Sequence, residues 1–505
     1  MSTIAATNPR TGLRLDSTYE TTPESEVGAA VEAAAAASTA LAAQSRYWRA
    51  GLLEALASAL EAERAAIVAI AEAETGYSPD KLNAELTRTT FQLTFFAGVL
   101  REGSYLEATI DPAADTPMGP RPDLRRILVP IGPVAVFGAS NFPLAFSVPG
   151  GDTASALAAG CAVVAKAHSS HPGTSMLCYE VMDLAATGYG APVGTISLMF
   201  GTDSGRHLVT HPLVKAVGFT GSLGGGKALM ELISQRPEPI PFYGELSSIN
   251  PVVVTPRAAD ERAEEIGAAL VTSFTTGSGQ LCTKPGIVLV PSGEAGDRLV
   301  RSARESVSSS NASVLLNARI CADYEKATQK LAADPRVQQT VADAEQAHQG
   351  YFVLPRLFET EIADFTSEMA QEIFGPTCLV VRYEPGSLPD AVDRALGSLS
   401  SSLTATLHTS PNDEVSQIIS AVSRYTGRIV FNGYPTGVAV SWAQNHGGPW
   451  PSTNSLHTSV GATAIRRFLR PLTFQNSPQE FLPEELRDVH DTIPRRINGD
   501  LQLPE

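Results

Sequence analysis

The sequence predicts an α/β protein that contains a parallel β-sheet, and two features indicate this class. Short apolar runs typical of buried strands alternate with helical segments between Val134 and Ser234. Polar residues or glycines directly follow these runs, and ligands of parallel sheets bind at such strand ends. The chain has 505 residues, which is too long for a single hydrophobic core, so two or three domains are expected.

Composition argues against several functional classes. The chain has 43% hydrophobic and 18% charged residues, which is ordinary for a globular protein. A net charge of -16 argues against a nucleic-acid partner, because phosphate binding requires clustered Lys and Arg. Five scattered cysteines without a C-x-x-C pair fit a reducing cytoplasm. The start shows no signal-peptide pattern, and no window reaches the roughly 20 apolar residues of a membrane span, so we expect a cytoplasmic protein.

The first hundred residues are predicted to be helical. Ala-rich segments at about 27–43, 46–73 and 79–101 have helical spacing. Prolines between 112 and 122 indicate irregular chain, and residues 123–129 are typical of a strand that leaves the domain. Further on, strands are predicted at 134–138, 162–165, 196–200 and 216–219, with helices at 152–159, 173–185, 203–209 and 225–234. Such alternation forms a parallel sheet whose connections share one hand.

Polar residues at five strand ends are candidates for ligand binding. They are Asn141, Lys166, Gly201, Thr220-Gly221-Ser222 and Glu245. Taken singly, each has a structural explanation, such as a turn former or a solvated strand end. The segment Gly221–Lys227 nearly matches the phosphate loop G-x-x-x-x-G-K-S/T, but Ala228 replaces the hydroxyl that would hold magnesium. We therefore interpret it as a helix amino end that presents N–H groups to a pyrophosphate, with a flexible cap as the alternative.

Cys282 is the candidate nucleophile. It lies in a run of small and polar residues, 275–283, just before the apolar strand 287–290. A reactive thiolate needs access and positive potential, and glycines allow backbone amides to approach it closely. For any single cysteine, a buried core position is the alternative. The candidate binding residues at the strand ends upstream favour a nucleophile over a core position for Cys282.

Six motifs together resemble the aldehyde dehydrogenase superfamily in order and spacing. They are Ser140-Asn141-Phe142-Pro143, Lys166 after its strand, Gly218-Phe219-Thr220-Gly221-Ser222, Tyr243-Gly244-Glu245-Leu246, Gly279-Gln280-Leu281-Cys282-Thr283 and Glu372-Ile373-Phe374-Gly375-Pro376. The resemblance extends from Asn8 to Pro471. Within the superfamily, Lys166–Gly173, Ser247–Pro251 and Arg467–Pro471 are similar to the 2-oxoglutarate semialdehyde (2,5-dioxovalerate) dehydrogenases, a branch whose relatives include an NADP-dependent fatty aldehyde dehydrogenase.

The resemblance implies a three-part architecture and an oligomer. A Rossmann-like dinucleotide-binding domain is expected at 1–106 and 129–244, and an α/β catalytic domain at 245–455. Small β bridging segments are expected at 107–128 and 456–505. These segments imply a homodimer or homotetramer, in which the tail after Asn476 lies over a neighbouring subunit.

Aldehyde oxidation explains why these residue types occur together. An aldehyde must first become a tetrahedral alkoxide before it can lose a hydride, and the Cys282 thiolate suits this addition. The resemblance implies that Asn141 and the backbone N–H of Cys282 hold the oxyanion, with Lys166 in the same site. Glu245 would activate the water that hydrolyses the thioester. A surface carboxylate is the alternative for Glu245, but its apolar neighbours indicate partial burial, which would raise its pKa.

The resemblance also assigns cofactor roles. Lys166 would bind ribose hydroxyls, and Ser222 with the amides of the Gly221–Gly226 turn would bind the pyrophosphate. Glu372 would accept hydrogen bonds from the nicotinamide ribose beside Phe374, with a simple turn as the alternative. NAD-preferring members carry a carboxylate three residues after the lysine. Here that residue is Ser169, which favours NADP over NAD, with Arg206 as a partner for the phosphate.

Metal and substrate contacts are less defined by the sequence. No metal site is expected, because His168 and His171 lack acidic or thiol companions. Substrate contacts are predicted for Phe146, Gln280, Thr283 and Pro435. An anionic semialdehyde would need a cation, and the sequence does not single one out.

The predicted function is NAD(P)-dependent oxidation of an aldehyde to a carboxylic acid, with 2-oxoglutarate semialdehyde as the substrate. Aliphatic aldehydes of medium or long chain are the alternative, because Val438, Val440 and Trp442 are apolar. A catalytically inactive nucleotide-binding protein would use the same fold, but the joint presence of Cys282 and Glu245 argues against it. Glu245 also argues against an acylating enzyme that transfers to coenzyme A.

Overall fold

The computed structural model describes residues 2–345, 349–490 and 492–504. Two short strands, β1 (Thr3–Ile4) and β2 (Tyr19–Glu20), pair antiparallel and precede a helical layer. The helices of that layer are α1 (Glu24–Ala42), α2 (Arg46–Ala62), α3 (Arg64–Thr75) and α4 (Pro79–Glu102). The bounds of α4 follow from its caps. Ser78 Oγ accepts a hydrogen bond from the Lys81 N–H at 3.3 Å, and Gly103 ends the helix at φ 85°.

The prediction of one continuous helix over 46–73 is wrong, because the chain breaks at Glu63. The Arg64 guanidinium stabilises the break. It binds the Glu61 carboxylate at 2.7 Å and the Asn83 carbonyl of α4 at 2.9 Å. These long-range contacts have no signature in the local spacing of apolar residues.

The next segment supplies strands for three different sheets. Its first strands are β3 (Thr109–Asp111), β4 (Ala114–Thr116), β5 (Gly119–Arg121) and β6 (Leu124–Pro130). The predicted alternation follows as β7 (Val134–Phe137), α5 (Gly151–Ala159), β8 (Val163–Lys166), α6 (Pro172–Tyr189), β9 (Ile196–Met199), α7 (Thr202–Thr210), β10 (Ala216–Thr220), α8 (Leu223–Ser234) and β11 (Phe242–Glu245). These five strands form a parallel sheet in the order β11-β10-β7-β8-β9, which confirms the predicted fold class.

Strand register explains why the predicted strand ends meet. Phe137 lies opposite Lys166, and Thr220 lies opposite Glu245. Because all five strands run in the same direction, these carboxyl ends share one edge of the sheet. The edge is therefore the place where a ligand would bind.

A second sheet has seven strands: β12 (Pro251–Val254), β13 (Ile287–Pro291), β15 (Gln338–Val341), β17 (Arg356–Glu361), β18 (Thr377–Tyr383), β19 (Ser402–His408) and β20 (Thr426–Phe431). Their order is β15-β17-β18-β13-β12-β19-β20, and only β15 runs antiparallel to its neighbour. The accompanying elements are α9 (Pro256–Thr275), α10 (Glu294–Ser308), β14 (Ser313–Val314), α11 (Ala318–Ala332), β16 (Phe352–Val353), α12 (Leu388–Ser398) and α13 (Ser416–Val422).

A third sheet joins β3 and β6 to the end of the chain through β21 (Leu469–Gln475), β22 (Arg495–Ile497) and β23 (Asp500–Gln502). The tail after Asn476 packs partly on its own chain: Leu486 and Ile493 are buried in the core that surrounds the five-stranded sheet, and Arg125 donates to the Leu486 carbonyl at 2.6 Å. The expectation that the tail lies over a neighbouring subunit stays a prediction. The proposed domain boundaries themselves stay a prediction. Within the described ranges, no helix has the length and apolar content needed to cross a bilayer.

Candidate active site

A cavity of about 1300 Å³ lies at the carboxyl edge of the five-stranded sheet and reaches the loops of the seven-stranded sheet. It brings together most of the residues that the sequence singled out. The predicted residues that line it are Asn141, Phe146, Lys166, Ser169, Arg206, Gly221, Ser222, Glu245, Cys282, Glu372 and Phe374. Residues separated by more than 200 positions therefore meet at one site.

The loop that carries Cys282 depends on a glycine. Helix α9 ends at Thr275, and a short 3₁₀ turn follows at Thr276–Gly279. Gly279 has φ 68°, and a Cβ placed there would lie 2.2 Å from the Gly375 carbonyl carbon. Only glycine tolerates this contact and this backbone conformation. The nucleophile loop therefore packs directly on the segment that carries Glu372 and Phe374.

Asn250 also holds the loop that carries Cys282, and the sequence did not reveal this contact. Its Nδ2 donates to the backbone carbonyls of Cys282 at 2.7 Å and Lys284 at 3.0 Å. Its Oδ1 accepts from Ser248 Oγ at 2.6 Å, so the amide has partners on both sides. Asn250 itself has φ 55°, a left-handed conformation that asparagine adopts more readily than most residues.

Asn141 follows β7 and is held by the nucleophile loop. Its Nδ2 donates to the Gln280 carbonyl at 2.7 Å, which leaves the second N–H of the amide for an oxyanion. The Gln280 side chain is fully buried, and its Oε1 accepts from the Leu316 N–H at 3.0 Å. The predicted substrate contact of Gln280 is therefore not seen, since its side chain lies outside the lining of the cavity.

A buried histidine, His446, lies between Cys282 and Glu245, and this contact was missed in the sequence. His446 Nε2 lies 3.6 Å from Cys282 Sγ and 3.0 Å from Glu245 Oε1. Ser459 Oγ donates to the other carboxylate oxygen at 2.8 Å. A carboxylate oxygen of Glu245, the sulfur of Cys282 and a ring nitrogen of His446 all lie within 4.8 Å of one another. The available signal was the Gly447-Gly448-Pro449 run after His446, since such glycines permit tight packing of a loop.

The pKa of Glu245 is shifted in the direction opposite to the prediction, and the pKa of Cys282 is shifted as well. Burial favours a higher pKa for Glu245, but the His446 ring and the hydrogen bonds from His446, Ser459 and Cys282 together lower the pKa. The prediction of a raised Glu245 pKa is therefore wrong, because burial came with hydrogen-bond donors. Burial and then the charge of Glu245 raise the pKa of Cys282 well above its ordinary value. The resting site thus combines a neutral thiol with an ionised carboxylate.

The far end of the cavity fits an anionic dinucleotide. Lys166 ends β8 inside the cavity, and burial lowers its pKa. Ser222 caps α8 by accepting from the Gly225 N–H at 3.2 Å, so the positive end of that helix lies at the cavity wall. Gly226 has a packing role instead. A Cβ there would lie 2.4 Å from the Leu246 side chain, and Gly226 is not among the lining residues.

The remaining predicted residues divide between the wall and the loop above the nucleophile. Glu372 accepts a hydrogen bond from Ser247 Oγ, and burial raises its pKa. Thr283 and Pro435 lie outside the lining of the cavity. Thr283 Oγ1 donates to the Thr436 carbonyl at 3.4 Å, and the Pro435 carbonyl accepts from Arg428 at 2.6 Å. Their substrate role stays a prediction.

Known proteins resemble this chain over nearly its whole length. The alpha-ketoglutaric semialdehyde dehydrogenase 2 of Azospirillum brasilense is 44% identical over 98% of this chain and 96% of that protein. The alpha-ketoglutaric semialdehyde dehydrogenase of Acinetobacter baylyi is 40% identical over 89% of this chain and 86% of that protein.

Solved structures share the fold. An NADP-dependent enzyme of Escherichia coli superposes with a TM-score of 0.80 at 22% identity, covering 94% of both chains. A mutant of aldehyde dehydrogenase C from Pseudomonas syringae, in complex with NAD+ and octanal, superposes with a TM-score of 0.79 at 19% identity and the same coverage.

The sequence model of the aldehyde dehydrogenase family matches residues 1–471. This match and the two long alignments confirm the resemblance that the motifs predicted. The chain belongs to the aldehyde dehydrogenase family.

Proposed function

We propose that the protein oxidises 2-oxoglutarate semialdehyde to 2-oxoglutarate with NADP as the hydride acceptor. The observation that carries the proposal is the cluster of Cys282, His446 and Glu245, in which Cys282 and Glu245 line the cavity of about 1300 Å³. The names of the two relatives with 40% or more identity support this substrate.

The first chemical step is deprotonation of the thiol. His446 Nε2 holds at most one proton, so it cannot accept from Cys282 and donate to Glu245 at the same time. In the resting site, Nε2–H donates to the Glu245 carboxylate at 3.0 Å, so the thiol proton passes to Glu245, whose carboxylate oxygen lies within 4.8 Å of the sulfur. The thiolate attacks the aldehyde carbon with the His446 ring nitrogen 3.6 Å away, and Glu245 releases its proton to solvent before the thioester is hydrolysed.

The second step is loss of hydride from the tetrahedral adduct. The oxyanion receives hydrogen bonds from the Asn141 amide and the Cys282 backbone N–H. Bound NADP supplies the nicotinamide ring that accepts the hydride. The product on Cys282 is a thioester, and Glu245 takes a proton from the water that hydrolyses it. Water supplies the second carboxylate oxygen, and the thiol is regenerated.

Ser169 and Arg206 support NADP over NAD. Both line the cavity, and neither position carries the carboxylate that would repel a 2′-phosphate. NAD remains the alternative cofactor. A steady-state comparison of kcat/KM with both cofactors measures the preference.

A cytoplasmic homodimer or homotetramer is part of the proposal. The third sheet exposes apolar side chains near the end of the chain, including Leu501 and Leu503, which would be covered in an assembly. The described cysteines are all free thiols, which suits a reducing compartment. Light scattering after size exclusion gives the subunit number directly.

A Cys282→Ala variant tests the assignment of the nucleophile. We expect it to lose NADP reduction with every aldehyde in a panel while it still binds NADP in a fluorescence titration. Cys321→Ala is the matched control, since Cys321 is half-buried, and we expect it to behave like the unmodified protein. Normal turnover by Cys282→Ala would overturn the proposal. If kcat/KM of the unmodified protein rises with the chain length of aliphatic aldehydes, these aldehydes are the substrates instead of 2-oxoglutarate semialdehyde.

A further inference from the structure

Arg88 is a half-buried cation near Cys282 that the catalytic steps above do not use. It lies on α4, and its guanidinium carbon is 5.4 Å from the centre of the Phe146 ring. That ring is 6.1 Å from the ring of His446. Burial lowers the pKa of Arg88, and the charge of Cys282 is the largest influence that raises it again. Arg88 is therefore on the same side of the site as the reacting sulfur.

One edge of the Arg88 guanidinium has no partner. Nη1 donates to the Val438 carbonyl, but the buried Nε and Nη2 find no hydrogen-bond acceptor among the described residues. Leaving two charged donors unsatisfied in a buried position is costly, so such an edge calls for an acceptor from outside the chain.

The nearby carboxylates are already occupied. Glu85 binds the Lys81 ammonium at 3.0 Å and the backbone N–H groups of Leu144 and Ala145 at 2.9 and 3.1 Å. Glu245 is bound by His446 and Ser459, as described above. Within the described ranges, Arg88 accordingly forms no ion pair, although both carboxylates influence its pKa.

The free edge has the right geometry for a carboxylate. The Nε–H and Nη2–H groups of arginine point in parallel, and a carboxylate accepts both at once. Arg428 is a useful contrast, because the charge of Cys282 also acts to raise its pKa. Its Nη1 and Nη2 donate to the carbonyls of Gly437 and Pro435 at 2.9 and 2.6 Å, so it holds its own loop and has no such edge.

We propose that Arg88 binds the terminal carboxylate of the substrate and thereby selects aldehydes that carry an acid group at the far end. This inference rests on the proposed function, and it supplies the cation that the sequence did not single out. Because Nε and Nη2 are covered in the ligand-free chain, the carboxylate reaches them when a neighbouring side chain such as Phe146 moves aside.

The test compares two five-carbon aldehydes, 2-oxoglutarate semialdehyde and uncharged pentanal, in three variants. For Arg88→Met, we expect the ratio of kcat/KM between the semialdehyde and pentanal to fall about 10- to 100-fold, mainly through KM of the semialdehyde. Arg88→Lys should restore part of the ratio, since it keeps the charge but not the paired donors. Arg428→Met should change both aldehydes alike, because that arginine supports the loop.

Folding and NADP binding are checked in each variant by thermal melting and fluorescence titration. An unchanged ratio in folded Arg88→Met would overturn the role of Arg88 and leave the proposed function intact. The same comparison of aldehydes also tests the proposed substrate. If the unmodified protein oxidises pentanal better than the semialdehyde, the proposed substrate itself is wrong.

Discussion

Replacing Glu245 with glutamine should make the Cys282 thiol more acidic. The carboxylate oxygen and the sulfur lie within 4.8 Å, and the charge of Glu245 is the second largest cause of the raised pKa of Cys282. At this separation and an effective dielectric constant of about 20, the repulsion between two unit charges is about 3.5 kcal/mol. His446 lies between the groups and offsets part of this repulsion, so we expect the pKa of Cys282 to fall, but by less than the full repulsion would give.

The assay is the rate of alkylation of Cys282 by iodoacetamide as a function of pH, followed by the mass of the peptide that contains Cys282. The midpoint should move to lower pH in Glu245→Gln, because the thiolate no longer faces an anion. Glu372→Gln is the matched control. Glu372 raises the same pKa less than Glu245 does, so its replacement should move the midpoint by a smaller amount. A midpoint that stays in place or rises in Glu245→Gln would refute the electrostatic reasoning.

Three further predictions concern the surroundings of the nucleophile. His446→Gln should lower kcat/KM by up to about 10²-fold, because it removes the ring that binds Glu245 at 3.0 Å and lies 3.6 Å from the sulfur and so displaces the carboxylate that takes the thiol proton, while the Kd of NADP stays unchanged in a fluorescence titration. In the unmodified protein, kcat/KM should rise as the pH increases above neutrality: a thiol with a raised pKa is mostly protonated at pH 7, and its thiolate fraction grows with pH. The lowered pKa of Glu245 keeps the base ionised across this range, so a loss of activity on moving from pH 6 to pH 8 would contradict both shifts. Asn250→Ala should destabilise the protein by about 1–3 kcal/mol, since two buried carbonyls lose their donor, whereas Asn311→Ala, at an exposed side chain, should change the thermal midpoint little.

The parts of the site predicted from sequence share a physical basis. Apolar runs such as Val134–Phe137 indicate buried strands, and in a parallel sheet their ends must meet at one edge. Lys166 and Glu245 could therefore be placed near a ligand before any coordinates were known. Cys282 was recognisable because small residues and glycines surround it, and Gly279 is required by contact with Gly375.

The missed parts depend on contacts between distant segments. His446 lies 164 residues after Cys282, and nothing in its local sequence shows that its ring meets the sulfur. The direction of the Glu245 pKa shift depends on His446 and Ser459, so burial alone gave the wrong sign. Arg88 sits in a helical segment where an arginine is usually a solvated surface residue. Only the packing of α4 against Phe146 shows that this arginine is half-buried and that its Nε and Nη2 are covered.

The central claim is that Cys282 becomes the thioester that Glu245 helps to hydrolyse. The most direct measurement is the intact mass of Glu245→Gln after mixing with 2-oxoglutarate semialdehyde and NADP, followed by peptide mapping. Our account predicts one equivalent of NADPH per site and a stable acyl group on Cys282. NADPH formation without an adduct on Cys282, or an adduct on another residue, would contradict it.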